Sequence, residues 1–185
     1  MLGGLQQKLD LTLTPEETDA YVERELGKVI ETLEKKGEPC PGALQVLSDL
    51  HKEGKYGLAV VSSSALSRVQ ASIKKVGMDF FFPPNHIYSA ATSLPKPTSK
   101  PNPAIYLHAC EDIGVAPADC VAVEDSRSGA LAAKNAGIRL IGYVGPYDED
   151  EKEHMRKVLK EECGAVVVME HWEEFRECMA KVEAV

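Results

Sequence analysis

No stretch of this chain is a continuous apolar run long enough to cross a membrane, and its first residues lack the basic-then-apolar pattern of a secretory leader. Neither a membrane span nor an export signal is expected, and the cytoplasm is the expected compartment. Positive charge is scarce: 21 Lys and Arg against 29 Asp and Glu give a net charge of −8. The basic footprint of a nucleic-acid binder is therefore not expected, and an anionic ligand would have to be drawn by local cations or a metal. Cysteine occurs only as five scattered residues, Cys40, Cys110, Cys120, Cys163 and Cys178. None has zinc-ligand spacing and no disulfide framework is suggested, so they read as reduced thiols, two of them filling the core.

What is present is an ordinary globular composition, with 44% hydrophobic and 27% charged residues over 185 positions. That is enough for one domain with a real core and a small appendage. Thr14-Pro15-Glu16-Glu17 is a helix start: a capping threonine, a proline at the first helical position and a glutamate that completes a capping box. The helix is expected to run to about Lys36, and Pro39-Cys40-Pro41-Gly42 then breaks the chain. Leu44, Leu47 and Leu50 mark a helix ending near Gly54, and Gly57 to Val61 a buried strand. Ser64 is a candidate cap for a helix with Leu66, Val69, Ile73 and Val76 inward. Further strands are expected at Ile87–Ala90, Val121–Val123, Ile138–Val144 and Ala165–Met169. Helices are expected from Pro103 to Ile113, from Ser128 to Ala136 and around Trp172, Phe175, Met179 and Val182, with Asp148 to Glu151 a solvated helix start. Such alternation predicts an α/β fold, a Rossmann-like parallel sheet with helices on both faces.

Three strand ends carry polar groups. Val60-Val61 runs into Ser62-Ser63-Ser64, either a phosphate cradle at a helix N-terminus or a plain serine cap. Ser99-Lys100-Pro101-Asn102-Pro103 holds a lysine between prolines, placed either to meet a phosphate or simply solvated on its loop. Val123-Glu124-Asp125-Ser126 ends an apolar strand in two adjacent carboxylates, which suit a hard cation such as Mg²⁺ or form an exposed acid pair beside a helix cap. The order hydroxyl, lysine, acid pair at successive strand ends is more specific than any of the three.

In that order the chain resembles the haloacid-dehalogenase-like (HAD-like) phosphohydrolases, in particular the β-phosphoglucomutase and sugar-phosphate phosphatase branch. The matching segments are Leu58-Ala59-Val60-Val61-Ser62, Ser99-Lys100-Pro101-Asn102-Pro103 and Val123-Glu124-Asp125-Ser126-Arg127-Ser128-Gly129, followed by Ala132, Ala133, Lys134, Ala136 and Gly137. The resemblance implies a core domain over residues 41–185 and the remnant of a helical cap over residues 1–40. It further implies that Ser62, with Ser63 beside it, binds phosphate, that Lys100 neutralises it, and that Asp125 and Glu124 hold Mg²⁺. Ser62 and Lys100 are thereby the expected catalytic residues, and a small phosphorylated metabolite the expected partner.

The departures from that family are informative. Its nucleophile lies in a hydrophobic strand ending Asp-x-Asp-Gly, and no such motif occurs here. Asp10 lacks the preceding strand, the second aspartate and the glycine, and is expected to be a surface residue. Ala104 stands where the family usually has aspartate, which puts helix capping there in doubt. The resemblance places the absent strand at the centre of the sheet, between the strands ending at Ser62 and Asp125. Unpaired buried strand edges cost ~1–3 kcal/mol per polar group, so the chain is expected to be incomplete as a folding unit and inactive alone. A missing N-terminal segment, a partner chain in an oligomer, or the alternating stretch Lys8 to Leu13 could occupy the slot. A phosphohydrolase or phosphomutase whose nucleophile lies elsewhere, and a catalytically dead relative that binds a phosphorylated ligand or a protein, both fit these residues.

Overall fold

The structure, a computed structural model, describes residues 14–185. Asp10 and the Lys8–Leu13 stretch lie outside the described residues. Helix α1 (Pro15–Lys36) starts as its sequence dictates, with Thr14 Oγ1 accepting from the Glu17 N–H (3.2 Å) and the Glu17 carboxylate accepting from the Thr14 N–H (2.9 Å). Helix α2 (Ala43–Glu53) runs between Gly42 and Gly54, both at positive φ, a conformation that glycine adopts without a Cβ penalty. Its inward face is Ala43, Val46 and Leu50, while Leu44 is exposed. The inward stripe is thus displaced from the expected leucine series, because burial follows what packs opposite rather than side-chain type.

Among the described residues all strands pair in parallel, in two separate pieces. Strand β1 (Val60–Ser62) pairs with β2 (Ile87–Ser89), Val61 opposite Tyr88. Separately, β3 (Val121–Glu124), β4 (Arg139–Tyr143) and β5 (Val167–Met169) form a three-stranded sheet in that order, Val123 opposite Ile141 and Ile141 opposite Val167. Among the described residues no strand ladder joins β1 to β3. β1 is only partly buried at all three positions and β3 at alternate ones, rather than fully buried as their apolar composition suggests.

Helices cover both faces of each piece. Alternation along β4 sends Leu140 to one face, against Ala130, Ala133 and Leu159, and Ile141 to the other, against Val46, Met179 and Val182. Helix α5 (Arg127–Ala136) buries only Gly129, Ala130, Ala132, Ala133 and Ala136, small residues that let it lie close to the sheet. Helix α3 (Leu66–Lys75) covers Ile87 with Val69 and Ile73. On the opposite side, α4 (Ala104–Ile113) turns Ile105 and Ala109 onto Tyr88, and Tyr106 and Cys110 into the cluster containing Ala122. α4 therefore spans the two pieces from one face. α2 does the same from the other, with Leu47 beside Val60 and Val46 beside Ile141. Helix α6 (Glu149–Lys157) continues through a wider turn at Val158–Glu162 that buries Val158 and Leu159, and helix α7 (Phe175–Glu183) closes the chain with Trp172 in the turn before it. Among the described residues no helix is long and apolar enough to cross a membrane.

Ile141 is fully buried at the centre of the three-stranded sheet. Ile141→Ala is expected to cost about 2–5 kcal/mol in urea-induced unfolding, whereas Leu44→Ala, on the exposed side of α2, is expected to stay within about 0.5 kcal/mol.

Candidate active site

The site is assembled where β1 and β3 end. In β1 the Ser62 carbonyl points at β2 and accepts from the Ala90 N–H (2.8 Å). Backbone alternation turns the preceding carbonyl, that of Val61, to the opposite edge, which has no strand partner among the described residues. Lys100 fills that position: its ammonium donates to Val61 O (2.8 Å) and forms an ion pair with Glu124 Oε1 at the end of β3. The two side chains are 8% and 9% exposed, so the pair is buried. The same ammonium lies 4.7 Å from the centre of the Tyr106 ring, and the Tyr106 hydroxyl donates to Glu124 Oε1 (2.5 Å). Burial, then the Glu124 carboxylate, then Asp125 push the Tyr106 hydroxyl far above the usual phenol range, so it remains a donor at any working pH.

The serine loop lies against the lysine loop. Ser63 Oγ accepts from the Lys100 backbone N–H (3.1 Å), and Ser62 Oγ accepts from the Ser64 N–H (3.1 Å). Among the described residues no acceptor takes the Ser62 hydroxyl proton. Ser64 does not cap α3, whose first turn follows Ala65 without any side-chain cap. Ser64 instead offers its carbonyl to the Ser89 hydroxyl (2.6 Å), which fixes the loop to the end of β2. At α4 the missing aspartate is replaced locally, because Asn102 Oδ1 accepts from the Ala104 N–H (2.9 Å).

Beyond β3, Ser126 Oγ caps α5 by accepting from the Gly129 N–H (3.1 Å). A Cβ at Gly129 would overlap the Glu124 carboxylate, so glycine is required for the carboxylate to sit against the helix start. Asp125 is exposed, and its carbonyl accepts from the Tyr147 hydroxyl (3.2 Å). Burial and then the Asp125 charge raise Tyr147 above its ordinary value. Among the described residues no group of three or more His, Cys, Asp or Glu side chains is placed to hold a metal ion. Glu124 and Asp125 nonetheless supply carboxylate oxygen only, the donor chemistry that suits Mg²⁺ rather than a soft metal.

Of the residues singled out in the sequence, Ser63, Lys100 and Glu124 are linked through Lys100, Ser62 lies on the same loop as Ser63, and Asp125, an exposed residue, follows Glu124. Tyr106 had no sequence signal beyond its place on the apolar face of α4, six residues after Lys100 in the same segment. Only the fold brings its hydroxyl onto Glu124.

A profile of haloacid dehalogenase-like hydrolases matches residues 2–137. The chain belongs to that family. Hexitol phosphatase A of Escherichia coli K12 is 33% identical over 120 residues, which are 64% of this chain and 52% of the relative. Hexitol phosphatase B of the same strain is 30% identical over 131 residues, 70% of this chain and 56% of the relative. The chain thus spans about half the length of these relatives. A solved haloacid dehalogenase-like protein from Agrobacterium tumefaciens superposes with a TM-score of 0.75 at 26% identity, covering 98% of this chain and 76% of that one. CbbY from Rhodobacter sphaeroides has the same fold, with a TM-score of 0.71 at 24% identity over 89% of this chain and 68% of that one.

Removing one partner of a buried ion pair leaves the other charge uncompensated. In this HAD-like core, Lys100→Met is expected to cost about 3–5 kcal/mol, and the double variant Lys100→Met/Glu124→Gln less than the single one, as read from urea melts. Tyr106→Phe deletes one hydrogen bond to a charged acceptor and is expected to cost about 1.5–3 kcal/mol by the same measurement.

Proposed function

We propose that the whole protein is a Mg²⁺-dependent phosphohydrolase, or phosphomutase, of small phosphate esters that works by aspartyl-phosphate chemistry, with its nucleophile on a segment outside this chain. The observation that carries the proposal is the convergence of Lys100, Glu124 and the Ser62–Ser64 loop where β1 and β3 end. Hydroxyls, uncapped N–H groups at the start of a helix and an ammonium are what a phosphoryl group needs for binding and charge compensation. In this scheme Ser62 and Ser63 hold phosphoryl oxygens, Lys100 neutralises them, and Glu124 and Asp125 are the residues that would hold Mg²⁺. The metal, when bound, supplies further positive charge against the phosphoryl oxygens.

Neither attack in line on phosphorus nor protonation of the leaving oxygen is provided by these side chains. We place both on a strand seated between β1 and β3, lent by a longer form of the protein or by a second chain in an oligomer. Such a strand would bring N–H groups to the outer edge of β1, where Val61 O now accepts from the Lys100 ammonium, and would leave that ammonium N–H to donate to a substrate. Residues 41–185 act as the core domain and residues 1–40 as the remnant of a cap. The hexitol phosphatases are named for phosphorylated sugar alcohols, in keeping with a small phosphorylated metabolite as substrate. The cytoplasm is the proposed compartment.

The 185-residue chain is expected to show no Mg²⁺-dependent turnover of p-nitrophenyl phosphate above a boiled control. Fusing a hydrophobic strand ending Asp-x-Asp-Gly upstream is expected to create turnover, and Asp125→Ala to abolish it. Robust turnover by the unmodified chain, lost in Asp10→Ala, would overturn the assignment of the nucleophile. Phosphate binding without turnover in the fusion would favour a non-catalytic phosphate-binding or protein-binding module, the reading favoured by one observation: the Lys100 ammonium is already committed to internal acceptors.

A further inference from the structure

Away from the phosphate site, two thiols meet. Helix α4 ends at Gly114, at positive φ, where the Gly114 and Val115 N–H groups both donate to the Cys110 carbonyl (3.0 and 2.9 Å). The chain then turns back through Pro117–Asp119, and the Cys120 N–H donates to the Pro117 carbonyl (3.1 Å). This reversal sets Cys120 Sγ 3.8 Å from Cys110 Sγ. The other three cysteines have no such neighbour in the described thiol contacts: Cys163 Sγ faces the Arg127 carbonyl, Cys178 packs inside the core beside α7, and Cys40 is exposed.

We propose that Cys110 and Cys120 form a two-electron oxidation site that takes a hydroperoxide and closes to a reversible intrachain disulfide. The contact distance leaves the sulfurs about 1.8 Å short of a bond of about 2.05 Å. The connection that must yield is the largely exposed Glu111–Asp119 turn, rather than packed core. Access divides the roles. Cys110 is 6% exposed, whereas Cys120 is half-buried at the end of that turn. Burial first, then the neighbouring Cys120, raise the Cys110 thiol to about 11, which disfavours it as the first nucleophile.

The chemistry balances in two steps. The Cys120 thiolate attacks the terminal oxygen of ROOH; the O–O bond breaks, and RO⁻ takes a proton and leaves as ROH, with Cys120 as the sulfenic acid. The Cys110 sulfur then attacks the Cys120 sulfur; the S–O bond breaks, and hydroxide leaves with the Cys110 proton as water. The two thiols lose two electrons and the peroxide oxygen gains them. The product ties the C-terminal half of α4 to the residue before β3. One turn earlier on α4, Tyr106 is already bonded to Glu124 at the far end of β3, so the crosslink and that bond would brace one helix–strand contact at both ends.

The test treats the intact chain with hydrogen peroxide, blocks remaining thiols under denaturing conditions and reads intact and peptide masses. The expected result is a loss of about 2 Da, three alkylated cysteines instead of five, and a Cys110–Cys120 linked peptide that dithiothreitol reverses. Cys120→Ser, a change at the less buried partner, is expected to leave four alkylatable thiols and no intrachain link. The inference is overturned if five thiols remain alkylatable after peroxide, or if the links formed are intermolecular or join other cysteines.

Discussion

A buried ion pair, Lys100 with Glu124, stands where a parallel sheet would ordinarily have a backbone ladder. Nothing in the hydrogen-bonded strands joins β1–β2 to β3–β4–β5 among the described residues. The lysine does so by donating to the free Val61 carbonyl on one side and pairing with Glu124 on the other. Two charges withdrawn from water incur a desolvation cost, and their attraction offsets it only where the remaining donors and acceptors are also satisfied. Tyr106 contributes its ring face to the ammonium and its hydroxyl to the carboxylate, while Gly129 leaves the room the carboxylate needs. Around this polar bridge, α4 on one face and α2 on the other bury apolar side chains against both sheet pieces.

Two of the groups proposed for phosphate and metal, Lys100 and Glu124, thus also hold the two pieces together. An ammonium shared among Val61, Glu124 and Tyr106 meets a phosphoryl oxygen only by giving one of them up. Hydroxyls and N–H groups of the Ser62–Ser64 loop are less committed, because Ser62 keeps its proton and α3 begins without a side-chain cap. Asp125 is less committed still, being exposed beside the buried Glu124. Binding of an anion or a cation would accordingly begin at the serines and Asp125, with Lys100 and Glu124 the costlier groups to recruit.

Most element types could be read from residue pattern. The capping box at Thr14, the glycines after α2 and α5, and the small-residue face of α5 are local features, and the structure has them where the sequence puts them. Boundaries moved where tertiary contacts decide them. β1 is only Val60–Ser62 and β5 only Val167–Met169, because a strand lasts only as long as its partner does. Pro103 stands before α4 rather than within it, Arg127 rather than Ser128 opens α5, and Trp172 belongs to the turn before α7. The inward register of α2 likewise depends on what Val46 and Leu50 meet, which no local pattern states.

By itself the sequence determined the parallel α/β class, the family, and the segments carrying hydroxyl, lysine and acid pair, because strand-end motifs are short, local and bound to one kind of chemistry. Tertiary structure alone decided that the sheet falls in two pieces, since pairing between strands distant in sequence depends on edges meeting in space. It alone decided that Lys100 spends its protons on Val61 and Glu124, and that Tyr106 completes that cluster. The meeting of Cys110 and Cys120 is of the same kind: two thiols ten residues apart acquire a relation only when a helix cap and a turn fold the chain back on itself.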